Sequence, residues 1–197
     1  MTASLQTAAP LPRYGLNASN RNAYGLAVVQ RGDLQLDPPY QRGSVWTLDQ
    51  RRLLIRSMMQ ELPVPAIILN DRMRPEWEAN EHPLDHAAHE PFFAVVDGKQ
   101  RIETLQAWFD GELDVPASWF EADAVASTHA TADGDYVTFG ELTDIARRKT
   151  KNWTIPAVEA RADSVAAEAE MYLLVNGAGT LQTDADLTNA RRVAAKN

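Results

Sequence analysis

At 197 residues, with 45% hydrophobic and 23% charged residues, the chain is sized and composed for one globular domain with a buried core. It has no cysteine, which excludes disulfides and Cys-based zinc sites and points to a reducing, cytoplasmic compartment. No apolar run approaches the roughly 20 residues that span a bilayer, so no membrane partner is expected. The net charge of −8 opposes non-specific nucleic-acid binding.

Residues 1–24 have no clear period and begin without the basic and apolar regions of a signal peptide; they read as an extended or partly disordered arm. A strand follows at Leu34-Gln35-Leu36 and ends at Asp37-Pro38-Pro39, which forbids helix. Thr47 and Gln50 form a capping box that opens a helix over 48–61, with Leu54, Ile55, Met58, Met59 and Leu62 as its apolar stripe. Pro63 and Pro65 stop it, and Ala66–Leu69 reads as a buried strand. Residues 70–91 are polar and rich in proline, as in an exposed surface insertion. Phe92–Val96 is apolar throughout, which predicts a buried central strand; Asp97-Gly98 then turns the chain into a helix over 99–110, with Gly111 at its C-cap. Beyond it, Thr138 and Glu141 form a capping box for a helix over 139–149. Trp153–Ala160 reads as a strand that Pro156 pushes toward an edge. Helix 164–175, a Gly-containing turn over 176–180 and a helix over 184–195 complete the chain.

The strongest local feature is the strand that runs through Asp97-Gly98 into Lys99-Gln100-Arg101. Backbone N–H groups at a helix start are unpaired and partly positive. Gly98 permits close backbone approach, and Lys99 and Arg101 add full charges, which together suit a phosphate. Asp97 is suited to a divalent cation bridging phosphate oxygens. The bland alternative is an Asp N-cap beside a solvated basic turn. A second feature is Tyr40-Gln41-Arg42: Arg42 offers bidentate phosphate contacts, and Tyr40 or Trp46 a surface for stacking a base, although Trp46 reads better as a core anchor. The segment also fits an uneven charge. Residues 1–60 hold seven Arg and three acids (+4), and residues 61–197 hold 12 basic and 24 acidic residues (−12). His82, His86 and His89 lie close together with acidic neighbours, but Pro83 breaks helical pairing and a solvated loop is the better reading.

Together, PPYQRGSVWTLDQRRLLIRSMMQELPVPAIILND and VVDGKQRIETLQAWFDGEL resemble the family found at the N-terminus of GmrSD-type (type IV) restriction enzymes. That family is described by a Tyr-Gln-Arg…Trp segment, a Leu-Ile-X-Ser helix, a Pro-X-Pro lead into a strand and an Asp-Gly-Gln-Gln-Arg motif. Leu174–Thr180 is similar to its Asn/Gly-rich loop, which brings in Asn176. The resemblance spans about residues 30–190 and implies a ParB/sulfiredoxin-like α/β fold, a small mixed sheet flanked by helices, in which the helix after the motif receives nucleotide phosphates. In these terms residues 25–120 form the core, with the insertion 70–91, and residues 121–197 a mainly helical part packed on it. The motif's first Gln is Lys99 here, which adds charge and favours binding over turnover. Nothing in the chain resembles the His-Asn-His-type nuclease domain of relatives that cut DNA.

The expectation is a nucleoside triphosphate-binding domain with Mg²⁺-dependent hydrolysis. Tyr40, Gln41, Arg42, Gly98, Lys99, Arg101 and Asn176 would bind the nucleotide, and Asp97, Gln100 and Arg101 would serve catalysis, with Asp97 on the metal. Gln41 and Gln100 would position the base or the attacking water. The rival is a non-enzymatic switch whose partner is DNA or a separate nuclease subunit; a direct nuclease is the third reading, disfavoured by the acidic balance. The compact size suits a phage or mobile-element protein.

Overall fold

The computed structural model of the chain describes residues 10–41, 43, 45–77, 91–177 and 192–193. In chain order its elements are β1 (Asn17–Asn22), β2 (Leu34–Gln35), α1 (Leu48–Met59), β3 (Ile67–Asp71), β4 (Phe93–Asp97) and α2 (Lys99–Asp110). There follow β5 (Asp114–Pro116), β6 (His129–Thr131), β7 (Gly134–Thr138), α3 (Asp144–Lys151), β8 (Thr154–Ala160) and α4 (Val165–Gly177). Five strands make a mixed sheet in the order β1-β8-β3-β4-β2, and three make a small sheet in the order β5-β7-β6. The fold is of the mixed α/β class, as the alternating pattern predicts.

The apolar run of β4 through Val96 follows from burial on both faces, but Phe92, expected within the buried strand, precedes β4 and is 42% exposed. Val95 joins Ile67 and Leu69 in a core cluster closed by Ile55 of α1 and by Ile102, Leu105 and Trp108 of α2. Val96 points the other way, into a second cluster with Tyr40, Ala160, Ala169 and Tyr172. α1 and α2 thus cover one face of the sheet and α4 the other. Trp108 is fully buried and stacks near Phe120 and Trp153, which ties α2 to the segments before β6 and β8.

α1 has its expected capping box: Gln50 N–H donates to Thr47 Oγ1 and Thr47 N–H to Gln50 Oε1. The stripe ends sooner than its period suggests. Leu62 is 51% exposed, because α1 stops at Met59 and Glu61 turns the chain with φ 54°.

Five expectations are corrected. Residues 17–22 of the supposed arm are β1, paired antiparallel with β8; their side chains are mostly exposed, so backbone pairing rather than burial makes this strand and no apolar period announces it. β8 is an inner strand, because pairing with β3 starts only at Ala157, just past Pro156. The Thr138–Glu141 capping box exists, but it closes a single 3₁₀ turn, and α3 starts later at Asp144 with Thr143 as N-cap. Residues 121–160 are largely strand and turn, and β8 completes the main sheet, so position 120 does not divide core from appendage. The start of the insertion packs on the core: Trp77 is 5% exposed beneath the Arg72 guanidinium. The His82, His86 and His89 cluster and most of the final helix lie outside the described residues.

Candidate functional site

The junction between β4 and α2 is built around Gly98. Its φ is 99°, a left-handed conformation that L side chains rarely adopt. A Cβ there would sit 2.4 Å from Ile67 Cγ2, so the turn lies hard against β3. Ile102 N–H donates back to Gly98 O at 3.0 Å and starts the helical ladder. The N–H groups of Lys99, Gln100 and Arg101 precede that first bond and have no partner within the helix.

A cleft of about 170 Å³ opens at this helix start. It is lined by Asp97, Gly98, Lys99, Gln100 and Arg101, by Gln41 and Trp46 from the segment before α1, and by Tyr172 and Asn176 from α4. Three distant parts of the chain therefore meet at this junction. Two larger hollows, of about 660 and 730 Å³, lie beside Leu62 and Trp153 and beside Phe120 and Tyr136; neither holds an expected site residue.

Both cations of the motif have carboxylate partners. Arg101 Nη2 donates to Asp97 Oδ2 at 2.8 Å and to the Ala66 carbonyl at 3.1 Å. Lys99, its side chain 6% exposed, pairs with the well-exposed Asp37 and lies 3.8 Å from Glu103. Arg101 Nε is buried and has no hydrogen-bond partner among the described residues.

The two glutamines are engaged with backbone. Gln100 Oε1 accepts N–H groups from both Val45 and Trp46 at 3.0 Å. Gln41 Nε2 donates to the Val95 and Val96 carbonyls. Asn176 Nδ2 donates to Tyr172 O at 2.9 Å, within its own helix. Gln41 and Gln100, expected to position a base or an attacking water, each have one amide atom engaged by the backbone of a neighbouring segment.

Tyr40 is also corrected. It is 1% exposed, and its hydroxyl donates to Glu168 Oε2 at 3.1 Å, so its ring cannot stack on a ligand. Burial, with Glu168 nearby, pushes this phenol well above its ordinary pKa. Arg42, and with it the convergence of Arg42 and Arg101, lies outside the described residues.

Glu168 is what the sequence reading missed. It is fully buried, and Arg72 grips it through Nε at 2.8 Å and Nη2 at 2.5 Å. Asn70 Nδ2 donates to it at 2.8 Å, while Asn70 Oδ1 accepts the Ala162 N–H at 2.7 Å. This network docks α4, and so Tyr172 and Asn176, onto β3. The available signal was a carboxylate set among the small apolar residues of Val165–Ala169.

A separate charge cluster braces the small sheet. Arg52 Nη2 lies 2.5 Å from Asp114 Oδ1, and His129 bridges Asp114 Oδ2 at 3.3 Å and Glu141 Oε2 at 3.0 Å. Hydrogen bonds to Asp114 and Glu141 raise the His129 pKa. Burial works to raise both carboxyls, but hydrogen bonds from Arg52 and His129 to Asp114, and from Thr138 and His129 to Glu141, outweigh it and hold them below their ordinary values.

Among the described residues no group of three or more His, Asp or Glu side chains is placed to hold a metal ion, and no helix is long and apolar enough to cross a membrane.

The fold and cleft define a mixed α/β domain whose site is assembled at a strand–glycine–helix junction. Residues 26–192 match the family described as GmrSD restriction endonuclease, N-terminal domain, and the chain belongs to that family. It is thereby a domain associated with DNA restriction systems. No curated protein and no solved structure matches it.

Proposed function

We propose that the cleft binds the phosphates of a nucleoside triphosphate together with Mg²⁺, and that slow hydrolysis accompanies binding. One observation carries this reading: the start of α2, where a helix presents backbone N–H groups and the positive end of its dipole, lines one small cleft together with the Arg101 guanidinium and the Asp97 carboxylate. Arg101 Nε, buried and without a partner among the described residues, is a donor that a phosphate oxygen would satisfy. About 170 Å³ is below the range of roughly 300–1,000 Å³ for whole-ligand pockets, so the cleft takes phosphates and leaves the base outside, toward Trp46.

Asp97 fits a Mg²⁺ ion that is shared with phosphate and water, since one of its oxygens is engaged by Arg101 and Mg²⁺ commonly takes only one or two carboxylates. Mg²⁺ would neutralise phosphate charge and polarise the bond that breaks. Arg101 would hold a phosphate oxygen, and Asp97 would keep the guanidinium aimed.

A second reading, a switch that binds without turnover, is favoured by the pairing of Lys99 with Asp37. A nucleotide must compete with that carboxylate, which tunes occupancy rather than chemistry. DNA or a separate nuclease subunit would then read the occupied state. Either reading suits a cytoplasmic setting, where nucleotide and Mg²⁺ are plentiful, and the biology of a phage or mobile element.

The test is equilibrium binding of the four ribonucleoside triphosphates with and without Mg²⁺, followed by phosphate release. Arg101→Ala should cost about 1.5–3 kcal/mol of binding, the worth of a charge-assisted contact. Asp97→Asn should spare metal-free binding and remove the Mg²⁺-dependent part together with any turnover. A switch would show Mg²⁺-dependent binding and no phosphate release above that of Asp97→Asn. Binding unchanged in both variants would move the site elsewhere.

A further inference from the structure

We infer that the hollow at the C-terminal end of α1 is a second ligand site. Glu61 and Lys149 fit it to a small zwitterion whose cationic and anionic ends are joined by an apolar stem. The site is separate from the cleft at Gly98 and does not depend on what that cleft binds.

Glu61 N–H donates to Met58 O at 3.2 Å and Leu62 N–H to Ser57 O at 2.9 Å, the paired bonds of a Schellman cap on α1. Such a cap holds one residue in the left-handed region, and glycine usually fills it because it has no Cβ. The end of α2 keeps to this with Gly111 at φ 79°. The end of α1 does not: Glu61 has φ 54° and is the one non-glycine residue with positive φ among the described residues. The same position lies at the negative end of the α1 dipole, which disfavours a carboxylate. A side chain kept against both penalties, where glycine would serve the backbone better, is strain of the kind that collects at ligand sites.

Glu61 lines a hollow of about 660 Å³, within the roughly 300–1,000 Å³ of whole-ligand pockets. The hollow forms where α1 runs out over the β1–β8 pair: Asn20 and Pro156, partners across those strands, both line it. Its apolar wall includes Met59, Leu62 and the half-buried Trp153, which is backed by Trp108 at 6.3 Å. Lys149, from the last turn of α3, lines it as well. Neither the Glu61 carboxylate nor the Lys149 ammonium has a hydrogen bond or ion pair among the described residues, and the two do not pair with each other. An open anion, an open cation and an apolar wall in one hollow are complementary to an ammonium, a carboxylate and a hydrocarbon stem. An ω-amino acid has this chemistry, whether free or as the C-terminal lysine of a peptide.

The probe is ε-aminocaproate, titrated into the isotope-labelled full chain and followed by amide NMR. The amides of Glu61, Leu62, Asn152 and Trp153 should shift together, with a Kd of about a millimolar or tighter. Hexylamine and hexanoate, each with one charge, should bind about tenfold more weakly. Lys149→Ala and Glu61→Gln should weaken ε-aminocaproate about tenfold at unchanged fold. Glu61→Gly separates a ligand role from a structural one: relief of the left-handed strain should raise the thermal unfolding midpoint by about 2 °C while binding falls about tenfold. Nα-acetyl-lysine bound as tightly as ε-aminocaproate upholds the site with a C-terminal lysine as its source. Free lysine bound and Nα-acetyl-lysine rejected upholds it with the free amino acid. No shift at these amides up to about 10 mM, hexylamine or hexanoate bound as tightly as ε-aminocaproate, or Glu61→Gly binding like wild type overturns the inference.

Discussion

At Gly98 a single methyl group would meet two penalties at once. The left-handed backbone costs an L residue about 1–2 kcal/mol. The added carbon would fall 2.4 Å from Ile67 Cγ2 and 3.1 Å from Ile67 Cα, so β3 itself would have to give way, and overpacking of this kind costs about 1–3 kcal/mol. Gly98→Ala should therefore lower unfolding stability by several kcal/mol in denaturant titration; a loss under 1 kcal/mol would mean that the turn relaxes freely. The position was legible in the sequence, because a glycine between an apolar strand and a helical stripe has few other uses. The partners of its neighbours were not. Asp97 and Arg101 are one helical turn apart, yet the sequence does not say that they pair with each other rather than with a ligand. Tyr40 read as a stacking residue because its hydroxyl partner, Glu168, lies 128 residues away.

Among the elements, the small sheet carries the clearest dependence on pH. The raised pKa of His129 makes its contribution to stability complete below the ordinary value of about 6.5 and lost as pH rises through the folded value. The lowered pKa values of Asp114 and Glu141 make theirs complete above about 4.3 and lost as pH falls through the folded values. The cluster should thus hold best between about pH 4.5 and 6.5. The stability gap between wild type and His129→Asn should peak near pH 5–6 and shrink by pH 8; a gap constant from pH 5 to 9 would remove charge from the account. Helices were the most legible elements, since α1 and α2 carry caps and apolar stripes within a few turns. β1, β5, β6 and β7 were not. They are short and largely exposed or fixed by partners distant in sequence, and no local period marks them; the one local signal was Asp133-Gly134, at the turn between β6 and β7.

For the whole molecule, the docking of α4 decides whether the cleft has all its walls. Arg72→Met would leave the Glu168 carboxylate buried without its guanidinium, a loss of about 3–5 kcal/mol. Adding Glu168→Gln should recover part of it, since the neutral amide needs no counter-charge: its oxygen can accept from Asn70 Nδ2 while its NH₂ donates to the Tyr40 hydroxyl oxygen. In the single variant, binding at the cleft should weaken along with stability, because Tyr172 and Asn176 travel with the helix. Full loss of stability with unchanged ligand binding would show that α4 is not needed as a wall.

The place of β8 also sets an order of birth. It is the last strand of the sheet to be made, yet it lies second from one end, between a strand near the start of the chain and one from its middle. While translation has not reached residue 154, β1 has nothing to pair with and β3 shows a bare edge. A bare edge is a template for a neighbouring nascent chain as much as for the correct strand. The early part of this protein therefore has to wait on the ribosome, half-assembled, for a strand that is still being made.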